Sequence, residues 1–213
     1  MAIAPDGSRS QRVLWVEGKD DSVVAQSLCA AHRLPHAFEV HAKSGVEEIL
    51  ETFSVGLKAR NAQRFGLIVD ADGNAQARWD SIRRTLEEMG YHKVPERLDP
   101  DGVVLPALPH RPAFGAWIMP NNGPPGALED FAAALVPAED PLWARAGRVI
   151  AEIPHEQRRF REVERSKAHI HTWLAWQEGP GSPMGQAITK GDLDADAPAA
   201  RGFVSWLRRL FVD

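Results

Sequence analysis

The sequence predicts an α/β protein in which helices flank a mostly parallel sheet and a helical C-terminal part follows. The first observation is the apolar run FGLIVDAD at residues 65–72, which ends in two aspartates. A continuous apolar run is typical of a strand buried on both faces of a parallel sheet. The second is RVLWVEG at residues 12–18, which also ends in an acid. The third is the alternation of strand-like and helix-like segments, which predicts right-handed strand–helix–strand units.

Three strand–helix pairs account for the first part of the chain. They are strand 12–17 with helix 19–33, strand 38–41 with helix 44–57, and strand 64–70 with helix 75–89. Ser44 and Glu47 have the spacing of a capping box, which places Ser44 at the N-cap of the second helix. Gly90 is expected to end the third helix.

Two short strands and four helices complete the prediction. The strands are 103–105 and 114–119, and the helices are 127–136, 141–153, 156–177 and 199–211. A loop rich in Asn, Gly and Pro at residues 121–126 separates the two halves. We therefore divide the chain into a disordered lead-in (1–11), an α/β domain (12–120) and a helical extension packed on it (121–213).

Composition narrows the class of protein. With 213 residues and 44% hydrophobic content, the chain can form one well-filled core. The net charge of −4 does not favour nucleic-acid binding by the protein as a whole, although a local basic patch is enough for it. Cys29 is the single cysteine, so neither an internal disulfide nor a cysteine-rich zinc site is expected. Without a recognisable signal peptide or membrane span, the expected location is the cytoplasm.

Acidic residues follow two of the predicted strands. Glu17 ends the first strand, and Asp70 and Asp72 end the third. Ligands of open parallel sheets bind beyond the carboxyl ends of the strands, and residues two apart on a strand point the same way. Carboxylates held together need a cation, for which Mg²⁺, or Mn²⁺ in its place, is suited. The same sequence pattern would also occur if these acids were separate from one another and solvated at the strand ends.

These motifs resemble a known domain. An apolar strand ending in Glu17-Gly18, followed by one ending in Asp70-x-Asp72, resembles the Toprim domain over residues 12–120. That domain occurs in topoisomerases, bacterial primases, RecR-type recombination mediators and overcoming-lysogenization-defect nucleases. The resemblance implies that Glu17 acts as general acid or base and metal ligand, and that Asp70 and Asp72 bind magnesium. Asn74 stands where some Toprim proteins carry a third aspartate.

The wider chain is similar to a prokaryotic Toprim-like family without an assigned function. The segments that carry this similarity are VEGKDD (16–21), WIMP (117–120), LEDF (128–131) and SKA (166–168). In LEDF, Glu129 and Asp130 are candidate metal ligands, although the dipole of the predicted helix also favours acids in its first turn. In SKA, Lys167 is a candidate catalytic cation, because phosphoryl transfer benefits from positive charge near the reacting group.

A basic stretch lies in the C-terminal half. Between residues 145 and 171, seven arginines and lysines outnumber four acids. Arg158, Arg159 and Arg165 are the candidate nucleic-acid contacts in this stretch, because a basic helical face can hold phosphates. A solvated helix with charge pairs four residues apart would explain the same residues.

The sequence thus favours Mg²⁺-dependent phosphodiester chemistry, with a nuclease or other hydrolase ahead of two alternatives. In a haloacid-dehalogenase-type phosphatase, Asp70 would be the nucleophile and Asp72 the acid, and Glu17 would have no role. A non-catalytic Toprim-like module would bind nucleic acid or a partner. Neighbouring positions of strands 12–17 and 65–70 in the sheet would favour the Toprim interpretation. A topoisomerase is disfavoured because Tyr91 is the single tyrosine.

The expected partners follow from the same resemblance. Nucleic acid is the expected macromolecular substrate, and no membrane contact is expected. A homo-oligomer, a partner ATPase or a protein of a toxin system remain open as further partners.

Overall fold

A computed structural model describes residues 12–35, 38–58 and 62–213. The lead-in predicted to be disordered, residues 1–11, lies outside the described residues. Within the described part of the chain, every helix is too short or too polar to cross a bilayer.

The described strands form one sheet in the order β2–β1–β3–β5–β4. The strands are β1 (Arg12–Val16), β2 (Glu39–Ala42), β3 (Arg64–Asp70), β4 (Val103–Leu105) and β5 (Ala113–Met119). Strands β2, β1, β3 and β5 run parallel, and β4 pairs antiparallel at one edge. This architecture confirms the predicted α/β fold class with its mostly parallel sheet.

Helices cover both faces of the sheet. They are α1 (Lys19–Ala31), α2 (Val46–Leu57), α3 (Ala75–Glu88), α4 (Leu128–Ala133), α5 (Pro141–Glu152), α6 (Arg165–Leu174), α7 (Met184–Lys190) and α8 (Pro198–Phe211). Side chains of α2 and α3 form the core on one face. Side chains of α1 and of the C-terminal helices form the core on the other face. The helical C-terminal part therefore belongs to the same folded body as the sheet.

Helix α8 packs directly on the middle of the sheet, where two strand glycines make room for it. A Cβ atom on Gly115 would lie 2.5 Å from a methyl group of Leu210, and one on Gly66 would lie 2.9 Å from the ring of Phe211. Arg12 and Arg64, at the starts of β1 and β3, donate hydrogen bonds to the carbonyls of Phe211 and Leu210. These bonds satisfy carbonyls that the end of a helix leaves without partners.

The structure corrects the predicted start of α2. Gly45 is the N-cap, with φ +104°, and Ser44 uses its backbone N–H as a donor to Glu48 Oε2 at 2.8 Å. The capping box with Ser44 at the N-cap was therefore wrong. The left-handed backbone at residue 45 suits glycine, which lacks the Cβ that makes this conformation costly.

The predicted long helix over 156–177 was also wrong. Two short 3₁₀ turns, His155–Gln157 and Glu162–Glu164, precede α6. Glu164 accepts a hydrogen bond from the backbone N–H of Arg161, which caps the second 3₁₀ turn, and α6 begins directly after that turn. Val163 is 78% exposed, so it supplies no burial that would stabilise a continuous helix.

Candidate functional site

An acidic cleft of about 550 Å³ opens at the carboxyl ends of β1 and β3. The two strands are parallel neighbours, with Val16 opposite Ile68, so the residues that follow them meet at one edge of the sheet. Its charged lining residues are Glu17, Lys19, Asp20, Asp21, Asp70, Glu129 and Lys167. The cleft thus collects residues from β1, β3 and the starts of α1, α4 and α6.

Glu17 connects the two central strands. Its Oε1 accepts a hydrogen bond of 2.7 Å from the backbone N–H of Asp70. Burial raises the pKa of Glu17, although that hydrogen bond and the charge of Arg78 oppose the rise. A carboxyl group with a raised pKa beside a second acid is a candidate for proton transfer.

Asp70 is the most perturbed acid of the cleft. Burial, followed by the charges of Glu17, Asp21 and Glu129, raises the pKa of Asp70 to about 8. Its Oδ1 accepts a hydrogen bond of 3.1 Å from the backbone N–H of Leu128. A carboxyl group in this state gains most from a cation, because a cation removes both the repulsion and part of the cost of burial.

Asp21 is a cleft residue that the sequence interpretation missed. Its side chain is buried, Oδ2 accepts from the N–H of Gly18 at 3.1 Å, and Oδ1 is buried without a hydrogen-bond partner among the described residues. Burial, followed by the charge of Glu17, raises the pKa of Asp21 to about 7. The sequence does contain a signal for this burial. Asp21 lies three and four residues before Val24 and Ala25, so helical spacing places it on the buried face of α1. An acid on an apolar helix face seldom stays buried without a partner.

Glu129 and Lys167 form the other wall of the cleft. Lys167 Nζ lies 2.9 Å from Glu129 Oε1, and their side chains are 58% and 12% exposed. The hydrogen bond to Glu129, followed by the charge of that residue, raises the pKa of Lys167. The structure therefore brings two residues from separate sequence motifs into one ion pair beside Asp70.

Asp130 lies next to this pair but is not among the described residues that line the cleft. Its Oδ2 accepts from the N–H of Ala127 at 2.9 Å, and its Oδ1 accepts from Ser166 Oγ. Oδ2 therefore caps the start of α4, and Oδ1 joins that start to the start of α6. Lys167 is the next residue after Ser166, so the second bond lies beside the ion pair of Lys167 with Glu129. The predicted metal role of Asp130 stays a prediction.

Asp72 lies beside the cleft and points to another partner. Strand β3 ends at Asp70, and Asp72 has a left-handed backbone with φ +51°, so the alternation of a strand does not extend to it. Its Oδ2 accepts a hydrogen bond of 2.6 Å from Arg78, and its backbone exchanges two hydrogen bonds with Gly126. The charge of Asp72 still adds to the raised pKa of Asp70. Its assignment as a metal ligand also stays a prediction.

The arginines proposed to contact nucleic acid have local partners. Arg158 and Arg165 both pair with Glu162, at 2.9 and 3.3 Å. Arg159 is exposed, in the stretch between the two 3₁₀ turns. Two of the three charges are therefore partly neutralised in the free protein, and nucleic-acid binding by this segment stays a prediction.

The side chains of the cleft fit a hard divalent cation, but not one held by a closed set of protein ligands. Among the described residues, no three His, Cys, Asp or Glu side chains are grouped closely enough to hold an ion by themselves. Mg²⁺ usually keeps several waters and binds one or two carboxylates. Asp70, with its raised pKa, and the unpartnered Oδ1 of Asp21 offer such oxygens. Glu17 and Glu129 are adjacent candidates.

Comparison with known proteins gives a family for this α/β protein with its acidic cleft. The chain belongs to the family described as "Protein of unknown function (DUF3226)", whose model matches residues 11–212. A comparison with curated proteins finds no match. Among solved structures, the chain is similar to the C-terminal region of the Burkholderia pseudomallei OLD protein, with 15% identity and a TM-score of 0.49. That similarity covers 95% of this chain and 98% of the other.

Proposed function

We propose that the acidic cleft hydrolyses phosphodiesters in a divalent-metal-dependent reaction, with nucleic acid as the substrate. The observation that carries the proposal is the position of Glu17 beside Asp70, joined by a 2.7 Å hydrogen bond at the ends of neighbouring parallel strands. Asp21 and Glu129 add two further acids to the same cleft, and Lys167 adds a cation. Acids that bind a metal, together with a cation for the phosphate, are the parts that phosphoryl transfer requires.

Asp70, Asp21, Glu17 and Glu129 are the residues that would hold the metal. A bound Mg²⁺ or Mn²⁺ would supply positive charge and a more acidic water. Side chains of the protein would carry out the proton transfer and bind the phosphate. Glu17, whose pKa burial raises, is suited to take up or release a proton. Lys167, 58% exposed, is free to turn from Glu129 towards a phosphate oxygen when substrate enters.

The sheet order supports the Toprim interpretation of the sequence. Strands β1 and β3 are neighbours, which is the arrangement that brings the acid of the first motif to that of the second. Tyr91 offers no support for a topoisomerase, because its hydroxyl is buried and donates to Pro112 O at 2.7 Å. Its burial also raises the pKa of the phenol to about 12.

A phosphatase that uses Asp70 as nucleophile and Asp72 as acid is less well supported. Asp72 pairs with Arg78 at 2.6 Å and is not among the described residues that line the cleft. In that mechanism Glu17 would also have no task, although its carboxylate contacts the end of β3 directly. The proposal therefore keeps Glu17 and Asp70 as the central pair.

The direct test is cleavage of single-stranded and plasmid DNA, and of RNA, by the purified protein with Mg²⁺ or Mn²⁺. We expect cleavage by the wild type and none by Asp70→Asn, while Glu51→Gln, an exposed acid on α2, serves as the matched control. Hydrolysis of a small phosphate ester without nucleic-acid cleavage would favour the phosphatase. Metal binding without either activity would favour the binding module.

A further inference from the structure

We infer that a second pocket, at the opposite end of the sheet from the acidic cleft, binds the phosphate group of a small phosphomonoester. The pocket has a volume of about 380 Å³ and lies between the end of α2 and the turn that precedes β5. Lys58, His110 and Arg111 provide its polar wall, and Leu108, Pro109 and Pro112 its apolar wall. The inference is independent of the proposed activity, because none of these residues lines the acidic cleft.

The charge of the pocket is unlike that of the chain. None of the described residues that line it is Asp or Glu, although the protein carries a net charge of −4. The C-terminal end of α2 favours a cation and can explain Lys58, which is the C-cap of that helix. It does not explain Arg111 and His110, which come from a separate segment. Cationic side chains from two separate segments of the chain therefore line the same pocket.

The frame of the pocket is held by hydrogen bonds. Leu108 and Arg111 exchange two backbone hydrogen bonds, each of 3.1 Å, which close the turn between them. Arg111 Nε donates to Met89 O at 3.3 Å, and Tyr91 donates to Pro112 O at 2.7 Å. The turn and the guanidinium group of Arg111 are thus held in place before a ligand arrives, which lowers the entropy lost on binding.

Donors of the frame remain available for a ligand. Arg111 uses Nε and Nη1 for backbone carbonyls, and its Nη2 has no hydrogen-bond partner in the described ranges. Lys58 likewise has no ion-pair partner among the residues that the structure describes. A guanidinium and an ammonium group together are the usual partners of a phosphate group. We therefore assign the ligand's anionic part to a phosphate.

The size of the pocket and its apolar wall define the rest of the ligand. A volume of about 380 Å³ exceeds what a free phosphate needs and falls in the ordinary range for small-molecule sites. Leu108, Pro109 and Pro112 offer apolar contacts to an organic part. Because β3 has seven residues, at about 3.3 Å each, the pocket lies roughly 20 Å from the cleft. A phosphomonoester the size of a mononucleotide fits these conditions.

The test is a calorimetric titration of the metal-free protein with inorganic phosphate and, separately, with a nucleoside 5′-monophosphate. We expect saturable binding of the nucleotide, which Lys58→Met and His110→Ala each weaken by about tenfold, as for loss of one charge-assisted hydrogen bond. Both residues are exposed, so the variants should fold, and Lys93→Met, an exposed lysine outside the pocket, should bind as the wild type does. Equal affinities for the nucleotide and for inorganic phosphate would mean that the pocket binds the phosphate group alone. Tighter binding of the nucleotide would mean that the apolar wall also contacts the ligand.

Two results would overturn the inference. One is the absence of saturable binding of either probe at millimolar concentration. The other is binding that Lys167→Met removes and Lys58→Met leaves unchanged, because that result would place the anion in the acidic cleft. Neither result depends on whether the protein cleaves nucleic acid, so a failure of the proposed function and a failure of this inference are separable.

Discussion

Lys167 on α6 reaches across to Glu129 on α4, with 2.9 Å between Nζ and Oε1, at the mouth of a cleft that also holds Asp70. In the free protein the lysine therefore neutralises one of the acids that a metal would otherwise neutralise. In the reaction proposed above, metal binding beside Glu129 would release the same lysine for the phosphate. Such an exchange of partners would link the charge of the cleft to its occupancy.

Replacing the lysine should impair chemistry more than binding. Lys167→Met is expected to lower kcat by about 100-fold or more, since a cation at the developing charge contributes most in the transition state. The KM for an oligonucleotide should change by less than about tenfold, because the side chain is 58% exposed and is one contact among several. Steady-state kinetics with Mn²⁺ measure both, with Lys93→Met as the control. A change confined to KM would show that Lys167 binds the substrate without acting on the reaction.

The metal-free protein should lose stability as the pH rises from about 5 to 8. The pKa of Asp70 is raised to about 8 and that of Asp21 to about 7, from the 3.8 of an ordinary aspartate. A raised pKa in the folded state contributes stability that is full below the unfolded pKa and is lost as the pH rises through the folded one. Thermal unfolding in a chelating buffer should therefore give a lower melting temperature at pH 8 than at pH 5.

Asp70→Asn should remove much of this pH dependence. The asparagine Oδ1 can still accept the hydrogen bond from Leu128 that Asp70 Oδ1 accepts, while the charge is gone. We expect the variant to be more stable than the wild type at pH 8 by about 1–3 kcal/mol, since one pKa unit corresponds to about 1.4 kcal/mol. The two proteins should converge near pH 4. Equal stability of the two proteins at pH 8 would mean that burial and the neighbouring charges do not destabilise the ionised form of Asp70.

Divalent metal should stabilise the wild type in the same experiment. A ligand present at 100 times its Kd adds about 2.7 kcal/mol when it binds only the folded state. Mg²⁺ or Mn²⁺ should therefore raise the melting temperature at pH 8, and Asp70→Asn should abolish the rise. Asp21→Asn should reduce it, because the buried Asp21 Oδ1 has no partner in the described part of the chain and could accept a cation. A full rise in both variants would place the metal elsewhere.

Asp130 should matter through position rather than contact. Asp130→Ala removes the hydrogen bonds to Ala127 and Ser166, and is expected to cost about 1–2 kcal/mol of stability. Ser166→Ala removes the second bond alone and should cost less, about 1 kcal/mol. Both should lower kcat if the bond to Ser166 positions Lys167. Denaturant unfolding and kinetics would test this, and destabilised variants that keep the wild-type kcat would contradict the positioning role.

The predicted fold and the central acid pair follow from patterns that are local in sequence. The apolar run before Asp70 marks a strand buried on both faces, and the acid after the apolar residues of β1 marks its end. Because parallel neighbours place their carboxyl ends at one edge, Glu17 and Asp70 could be expected to meet. Glu129 and Lys167 were identified as site candidates through family resemblance, since nothing in their own segments shows that α4 and α6 are adjacent.

The rest of the site depends on features that patterns in the chain do not encode. The direction of Asp72 follows from a left-handed backbone and from its pair with Arg78, six residues along. The 3₁₀ turn that precedes α6 is capped by Glu164, in a segment whose composition also suits a longer helix. The burial of Asp21 depends on how α1 meets the cleft. The position of Asp21 is therefore set by tertiary packing, whereas Asp72 and the segment before α6 are set by local hydrogen bonds that residue types alone do not specify.

The most direct measurement of the central claim is the cleavage rate of Glu17→Gln on a single-stranded oligonucleotide with Mn²⁺, set beside its Mn²⁺ affinity. Glutamine keeps an oxygen that can accept from Asp70 N–H, so the 2.7 Å contact that orders the end of β3 survives. The account predicts a loss in rate of about 10²–10⁴-fold, as for removal of a general acid or base, with metal binding partly retained. Cleavage at the wild-type rate by Glu17→Gln would contradict it.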